Sequence, residues 1–134
     1  MEGTAQKSLP LILAREFASN LATPLVILDK SGSIVFFNEP AEQIIGQTPA
    51  ELGNLPEQDW RARFSAHRLD GTPVGNEDQP TAVARRERQP AHETLVYTML
   101  DGQQRTLSVT AIPLLGRGDE LAGVVAVFWE HEAE

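Results

Sequence analysis

The chain has 134 residues, with 11 Lys and Arg against 19 Asp and Glu, a formal net charge of −8. This length makes one ordinary domain, and the acidic balance gives no electrostatic footprint for nucleic acid or an anionic membrane. With 0 Cys, a disulfide framework, a cysteine zinc site, an iron–sulfur cluster, a thiol nucleophile and cysteinyl-flavin photochemistry are all excluded.

The longest apolar run, Leu121–Trp129, is far short of the roughly 20 residues a membrane helix needs. Leu9–Ala14 is apolar but is followed at once by Arg15 and Glu16, unlike a secretory segment. A soluble cytoplasmic domain is expected, with no nucleic-acid or membrane partner.

In chain order, Leu9, Leu13, Phe17 and Leu21 recur four residues apart and predict an amphipathic helix over Leu9–Leu21. Ser8 is its expected cap, and Thr23-Pro24 its end. Leu25–Asp29 and Ile34–Phe37 read as strands joined by a turn at Lys30–Ser33. Asn38 caps a short helix, Glu39–Ile45, that stops at Gly46. Thr48–Glu51 has the form of a capping box with proline at the first helical position. A further turn or helix covers Pro56–Phe64, and Arg68–Asn76 reads as loop. Gln79–Arg88 is the next helix, with Asp78 as cap.

The period then changes to two. Glu93–Leu100, Gln104–Leu115 and Leu121–Glu130 are strands, with hairpins at Asp101-Gly102 and Gly116–Asp119. Strands in two blocks around short helices predict an α+β fold with an antiparallel sheet of five strands.

These residues resemble a PAS domain. The strand Leu25–Asp29 ends in Asp; Gly32 turns the chain; the strand Ile34–Phe37 leads into Asn38; and a short helix closes at Gly46. Asp101-Gly102, Pro113-Leu114 and Gly123 are similar to the family's C-terminal sheet. Arg68–Pro73 is similar to an insertion of bacterial sensor-kinase members. The resemblance spans about Phe17–Glu130. It implies the PAS fold, with short helices on one face of the sheet. It divides the chain into an N-terminal helix, 1–22, and a PAS core, 23–134. Family members often end the last strand in Asp-Ile-Thr or Asp-Val-Thr, and Glu130, His131 and Glu132 stand there instead. A module of a longer sensor, or one acting on a separate partner, is therefore expected.

Alternation along the strands places Leu107, Val109 and Ala111 inward, with Leu95 and Tyr97 beside them. The resemblance implies a small apolar cavity behind them. Leu25, Ile27, Ile44, Leu55 and Val83 are its candidate further walls, with Val124, Ala126 and Phe128 from the last strand. The competing reading of each residue is plain core packing. Tyr97, the sole tyrosine, is a candidate polar handle for a ligand; a backbone or water partner is the alternative.

The last strand is apolar on both faces, so Val125, Val127 and Trp129 need a cover. The stripe Leu9, Leu13, Phe17 and Leu21 is that cover, supplied by a second subunit in a homodimer or by the same chain. Family members that bind haem place a histidine on the helix before the last three strands. Gln79–Arg88 has none and His92 lies beyond it, so haem is disfavoured and any cofactor is left unknown. Ser65 and His67 lack the third group of a catalytic constellation, and the chain is not expected to be an enzyme. Arg85-Arg86-Glu87-Arg88 reads as a solvated face or as a site for an acidic ligand.

The function implied is a sensory or signalling domain that binds a small apolar or aromatic ligand internally and transmits it through dimer geometry. The alternative is a ligand-free dimerisation module.

Overall fold

The computed structural model describes residues 9–53 and 55–131. Ser8 and Glu132, expected as a helix cap and as part of the strand's end, lie outside them. The elements run α1 (Leu9–Ala18), β1 (Leu25–Asp29), β2 (Ile34–Phe37), α2 (Glu39–Ile45), α3 (Pro49–Leu52), α4 (Glu57–Arg63), β3 (Ala66–His67), α5 (Pro80–Glu87), β4 (Ala91–Thr98), β5 (Gln104–Leu115) and β6 (Leu121–His131).

The sheet is antiparallel and has six strands, in the order β2-β1-β6-β5-β4-β3. The expected five-stranded sheet is corrected by β3. Its two residues pair with Val96 and Tyr97 of β4 and are too few to show any alternation. The end of the chain returns to the middle of the sheet, where β6 separates β1 from β5.

Local chemistry sets the short helices. In α3 the Thr48 side chain accepts from the Glu51 amide, while the Glu51 carboxylate accepts from the Thr48 amide, the reciprocal capping box. The Gly46 amide closes α2 on the Glu42 carbonyl in a left-handed conformation, which glycine adopts without steric cost. For α5 the expected cap, Asp78, lies instead in a 3-10 turn, Asn76–Asp78. Gln79 holds the cap position without a side-chain cap bond, and Pro80 opens the helix.

Two apolar layers sandwich the sheet. On the inner face, α2, α4 and α5 pack on Val26, Leu28, Leu107, Val109, Val124 and Phe128. On the outer face, α1 brings Leu11, Ala14 and Ala18 onto Leu25, Ile27, Val125 and Val127. Here α1 reaches the strands through Gly123. A Cβ at that position would stand 2.4 Å from the Leu28 carbonyl oxygen and 2.9 Å from Leu11.

Asn38 ties the layers together. Its side-chain oxygen accepts from the Leu25 amide at 3.0 Å and the Ala41 amide at 3.2 Å. Its amide nitrogen donates to the Ala18 carbonyl at 3.1 Å and the Thr23 carbonyl at 2.8 Å. One buried side chain thus serves the C-terminus of α1, the start of β1 and the N-terminus of α2. Asn38→Ala would leave several buried backbone groups unpaired. It should cost roughly 3 kcal/mol of stability and lower the thermal midpoint by about 10 °C, read by calorimetry. Asn38→Asp turns an oxygen toward the Ala18 and Thr23 carbonyls in a buried site and should cost at least as much as Asn38→Ala.

Candidate functional site

The inner layer is incompletely filled. A cavity of about 90 Å³ lies between the sheet and the helices. Its sheet wall is Val26 and Leu28 of β1, Leu107 and Val109 of β5, and Ala126 and Phe128 of β6. Ile45 of α2, Trp60 of α4 and the nearby Phe64 close the helix side. The rest of the lining is Ile34 and Met99, with Gln79, Thr81 and Tyr97 as its polar residues.

β1 faces the opposite way from the expectation. Leu25 and Ile27 are buried under α1 on the outer face, and Val26 and Leu28 take the inward positions. The pairings Val26↔Ala126 and Leu28↔Val124 fix this facing. Four consecutive apolar residues in β1 carry no alternation from which to read it.

The other expected wall residues divide into two groups. Tyr97, Leu107, Val109, Ala126 and Phe128 line the cavity. Leu55, Ala111 and Val124 are buried in the inner core, and Ile44 packs half-buried against it, all outside the lining. Leu95 is fully buried opposite Leu107, also away from the lining. Val83 is half-buried and belongs to neither core; the α5 residue that packs inward is Ala84.

Sequence reasoning missed Trp60, Phe64, Gln79 and Thr81. The four-residue spacing of Trp60 and Phe64, within and just after a helix rich in charge, was the available signal. The indole N–H of Trp60 donates to the Gly32 carbonyl at 2.8 Å, which pins α4 over the β1–β2 turn. Gly32 is required there. It has φ +92°, and a Cβ would run into the Arg85 guanidinium and Glu57.

The expected cover also changes face. Leu9, Leu13 and Phe17 are 63%, 58% and 64% exposed. The stripe of α1 that lies on the sheet is Leu11, Ala14 and Ala18, continued by Leu21 beyond the helix end. Leu21, Val125 and Val127 are therefore packed within the chain. Trp129, expected under the same cover, is 44% exposed. Its neighbours on the outer face are polar: His92 bonds to Thr110 at 2.7 Å, and Ser108 bonds to Thr94 and His131. His92 lies against Trp129, with the sheet between it and the cavity.

Burial of the Tyr97 phenol raises its pKa well above the ordinary 10.0, only partly opposed by the charge of Arg61. Burial thus opposes ionisation of the phenol at the cavity. A raised folded-state pKa stabilises the fold fully below pH 10, and this contribution is lost as pH rises from the unfolded value through the folded one. With 1 Tyr in the chain, tyrosinate absorbance reports this residue alone. In an alkaline titration, tyrosinate should form together with loss of near-ultraviolet circular dichroism. Ionisation at the ordinary pKa in a still-folded protein would place the phenol in water.

The comparisons agree with this architecture. A family profile described as PAS domain matches residues 22–130. No curated protein matches. Among solved structures, the PAS domain of nitrogen regulation protein NR(II) from Vibrio parahaemolyticus is 19% identical, with a TM-score of 0.63 over 89% of this chain and 98% of that one. A LOV protein from Rhodobacter sphaeroides is 15% identical, with a TM-score of 0.68 over 92% and 68%. The light-state dimer of the fungal blue-light photoreceptor Vivid is 18% identical, with a TM-score of 0.62 over 83% and 79%. At these identities the structures show a common fold. Together with the profile match, which covers most of the chain, they establish that this protein belongs to the PAS domain family of sensory and signalling modules.

Proposed function

We propose that this domain works by binding rather than by catalysis: a compact apolar or aromatic ligand occupies the cavity, and its presence is transmitted through the geometry of a homodimer. One observation carries the reading. β6 presents Ala126 and Phe128 to the cavity on one face and Val125 and Val127 to α1 on the other. A ligand that favours one packing of β6 thereby biases the seating of α1, a population shift between two states.

The outward stripe of α1 supports the dimer. Leu9, Ile12, Leu13 and Phe17 make an apolar face on a helix already packed on its other side, and such faces mark interaction sites. Trp129 and Ile112 add exposed apolar area on the sheet. Vivid is a light-state dimer, which accords with a dimeric reading. The cavity volume of about 90 Å³ lies below the roughly 300–1,000 Å³ of drug-sized pockets. It supports a small occupant over a tetrapyrrole or a flavin. The same volume, with Tyr97 and Phe128 already in its walls, favours the second reading, a ligand-free dimerisation module.

Native mass spectrometry tests the proposal. A dimer carrying extra mass that disappears on denaturation is the expected result. A bare dimer moves the assignment to the second reading, and a monomer at micromolar concentration overturns the dimer. Phe17→Glu should give a folded monomer, because Phe17 is 64% exposed and joins neither apolar layer among the described residues. Val109→Trp should exclude the ligand and cost about 1–3 kcal/mol through overpacking, measured by denaturant unfolding with and without the captured ligand.

A further inference from the structure

The strands β3 to β6 carry their charges on one face only. Glu93 pairs with Val109, Arg105 with Tyr97 and Glu130 with Leu107, which places all three on the inner side of the sheet. There Arg105 is bridged to Glu130 at 2.8 Å, and Glu93 to Arg68 at 3.1 Å. The outer positions of the same strands hold hydroxyls, Val96, Ile112 and Trp129, and among the described residues no Asp, Glu, Lys or Arg.

The three histidines of the chain all stand on that uncharged face. Residues directly opposite across a sheet share a side. His67 is opposite Val96, His92 opposite Thr110, and His131 opposite Thr106. His67 is half-buried at the edge, next in sequence to the Arg68–Glu93 pair. His92 lies against Trp129 and bonds to Thr110. His131 bonds to Ser108, which also bonds to Thr94. A hydroxyl can donate or accept, so these partners serve either protonation state, and neither His92 nor His131 is paired with a carboxylate.

The uncharged area continues onto one flank of α1. Arg15 lies over Phe36 of β2, while Pro10 lies beside Gly116 at the end of β5. At about 3.6 residues per turn, Leu13 and Phe17 fall on the Pro10 side, next to β5, and Glu16 turns away from the sheet. Leu13, Phe17, Ile112 and Trp129 are all exposed.

A second copy of the chain is the partner this surface fits. With a net charge of −8, two copies repel wherever their acidic surfaces meet. The outer face allows contact without opposing like charges, and a two-fold axis sets the same patch against itself. Histidine is neutral above about pH 6.5 and cationic below it. At a self-apposed face each added proton buries a cation opposite its own copy, with no carboxylate of the face to pair it.

We propose that two copies of this chain meet through the outer face of β4–β6 and the Leu13–Phe17 flank of α1, and that protonation of His92 and His131 releases them. The inference rests on the homodimer of the reading above and adds its regulation. The sign of the response is diagnostic. Protonation also lowers the overall negative charge, so a contact made elsewhere on the surface should tighten on acidification, whereas this one weakens.

Sedimentation velocity of the full chain, at fixed ionic strength from about pH 7.5 to about pH 5.5, tests the proposal. Wild type should be dimeric at the upper pH, and its dissociation constant should rise about tenfold or more at the lower one. His92→Gln/His131→Gln replaces two exposed side chains with neutral hydrogen-bonding ones and should lose most of that response. Trp129→Lys puts a fixed charge on the face and should be a folded monomer throughout; Ile112→Lys, at a position 40% exposed, carries the same test if circular dichroism shows Trp129→Lys unfolded. A dimer that is unchanged or tighter at low pH overturns the proton release and leaves the homodimer standing. So does a pH response that persists in His92→Gln/His131→Gln. Folded lysine variants that still dimerise overturn the sheet face as the interface. A monomer at micromolar concentration across the whole range sinks this inference and the homodimer together.

Discussion

The structure depends on a strand that is apolar on both faces and sits in the middle of the sheet. β6 pairs with β1 on one side and β5 on the other, so its backbone is satisfied. Its side chains then require a layer on each face, because a half-wet sheet would expose Val125 and Val127. Burying aliphatic side chains of this size is worth about 1.5–3 kcal/mol each. The helices α2, α4 and α5 meet the inner demand and α1 the outer one. Asn38 holds the two solutions in register. It bonds to the last turn of α1 and the first turn of α2 from one side chain, so neither layer shifts without disturbing the other.

Where one face of an element is polar, the sequence states the fold. β5 alternates Thr106, Ser108 and Thr110 with Leu107, Val109 and Ala111, and the pairing Val109↔Phe128 aligns the inward residues of β5 and β6. Where both faces are apolar, periodicity is silent. β1 is one such case, and the facing of Leu25 and Ile27 was settled by pairing with β6. α1 is the other. Leu9, Leu13 and Phe17 form a fair stripe, yet the sheet takes Leu11, Ala14 and Ala18 instead. The small Ala14 and Ala18 let the helix come close to the strands, as Gly123 does from below, whereas Phe17 in that position would hold it away. Spacing counts apolar residues; closeness of approach decides between two stripes that both qualify.

The site was legible in part for the same reason. Strand residues of the cavity followed from alternation. Its polar residues come from the residue before α5, the first turn of α5 and β4, and only tertiary packing brings Gln79, Thr81 and Tyr97 together. Arg61 in particular reads in sequence as one more charge on a surface helix, paired at i, i+4 with Glu57. Its burial follows from Trp60. The indole is drawn inward to the Gly32 carbonyl, and the adjacent guanidinium is laid over its ring.

That arrangement has an energetic consequence for the α4–α5 edge. A buried cation whose carboxylate is shared with a second cation is costly, because desolvation is paid in full while the compensating charge is divided. Hydrophobic side chains of similar volume would make a more stable support for α4. The cost falls at the α4–α5 edge, and β6 lies across the cavity with α1 on its far face. β6 thus touches both the inner helices and α1, the layer that carries the exposed stripe Leu9, Leu13 and Phe17.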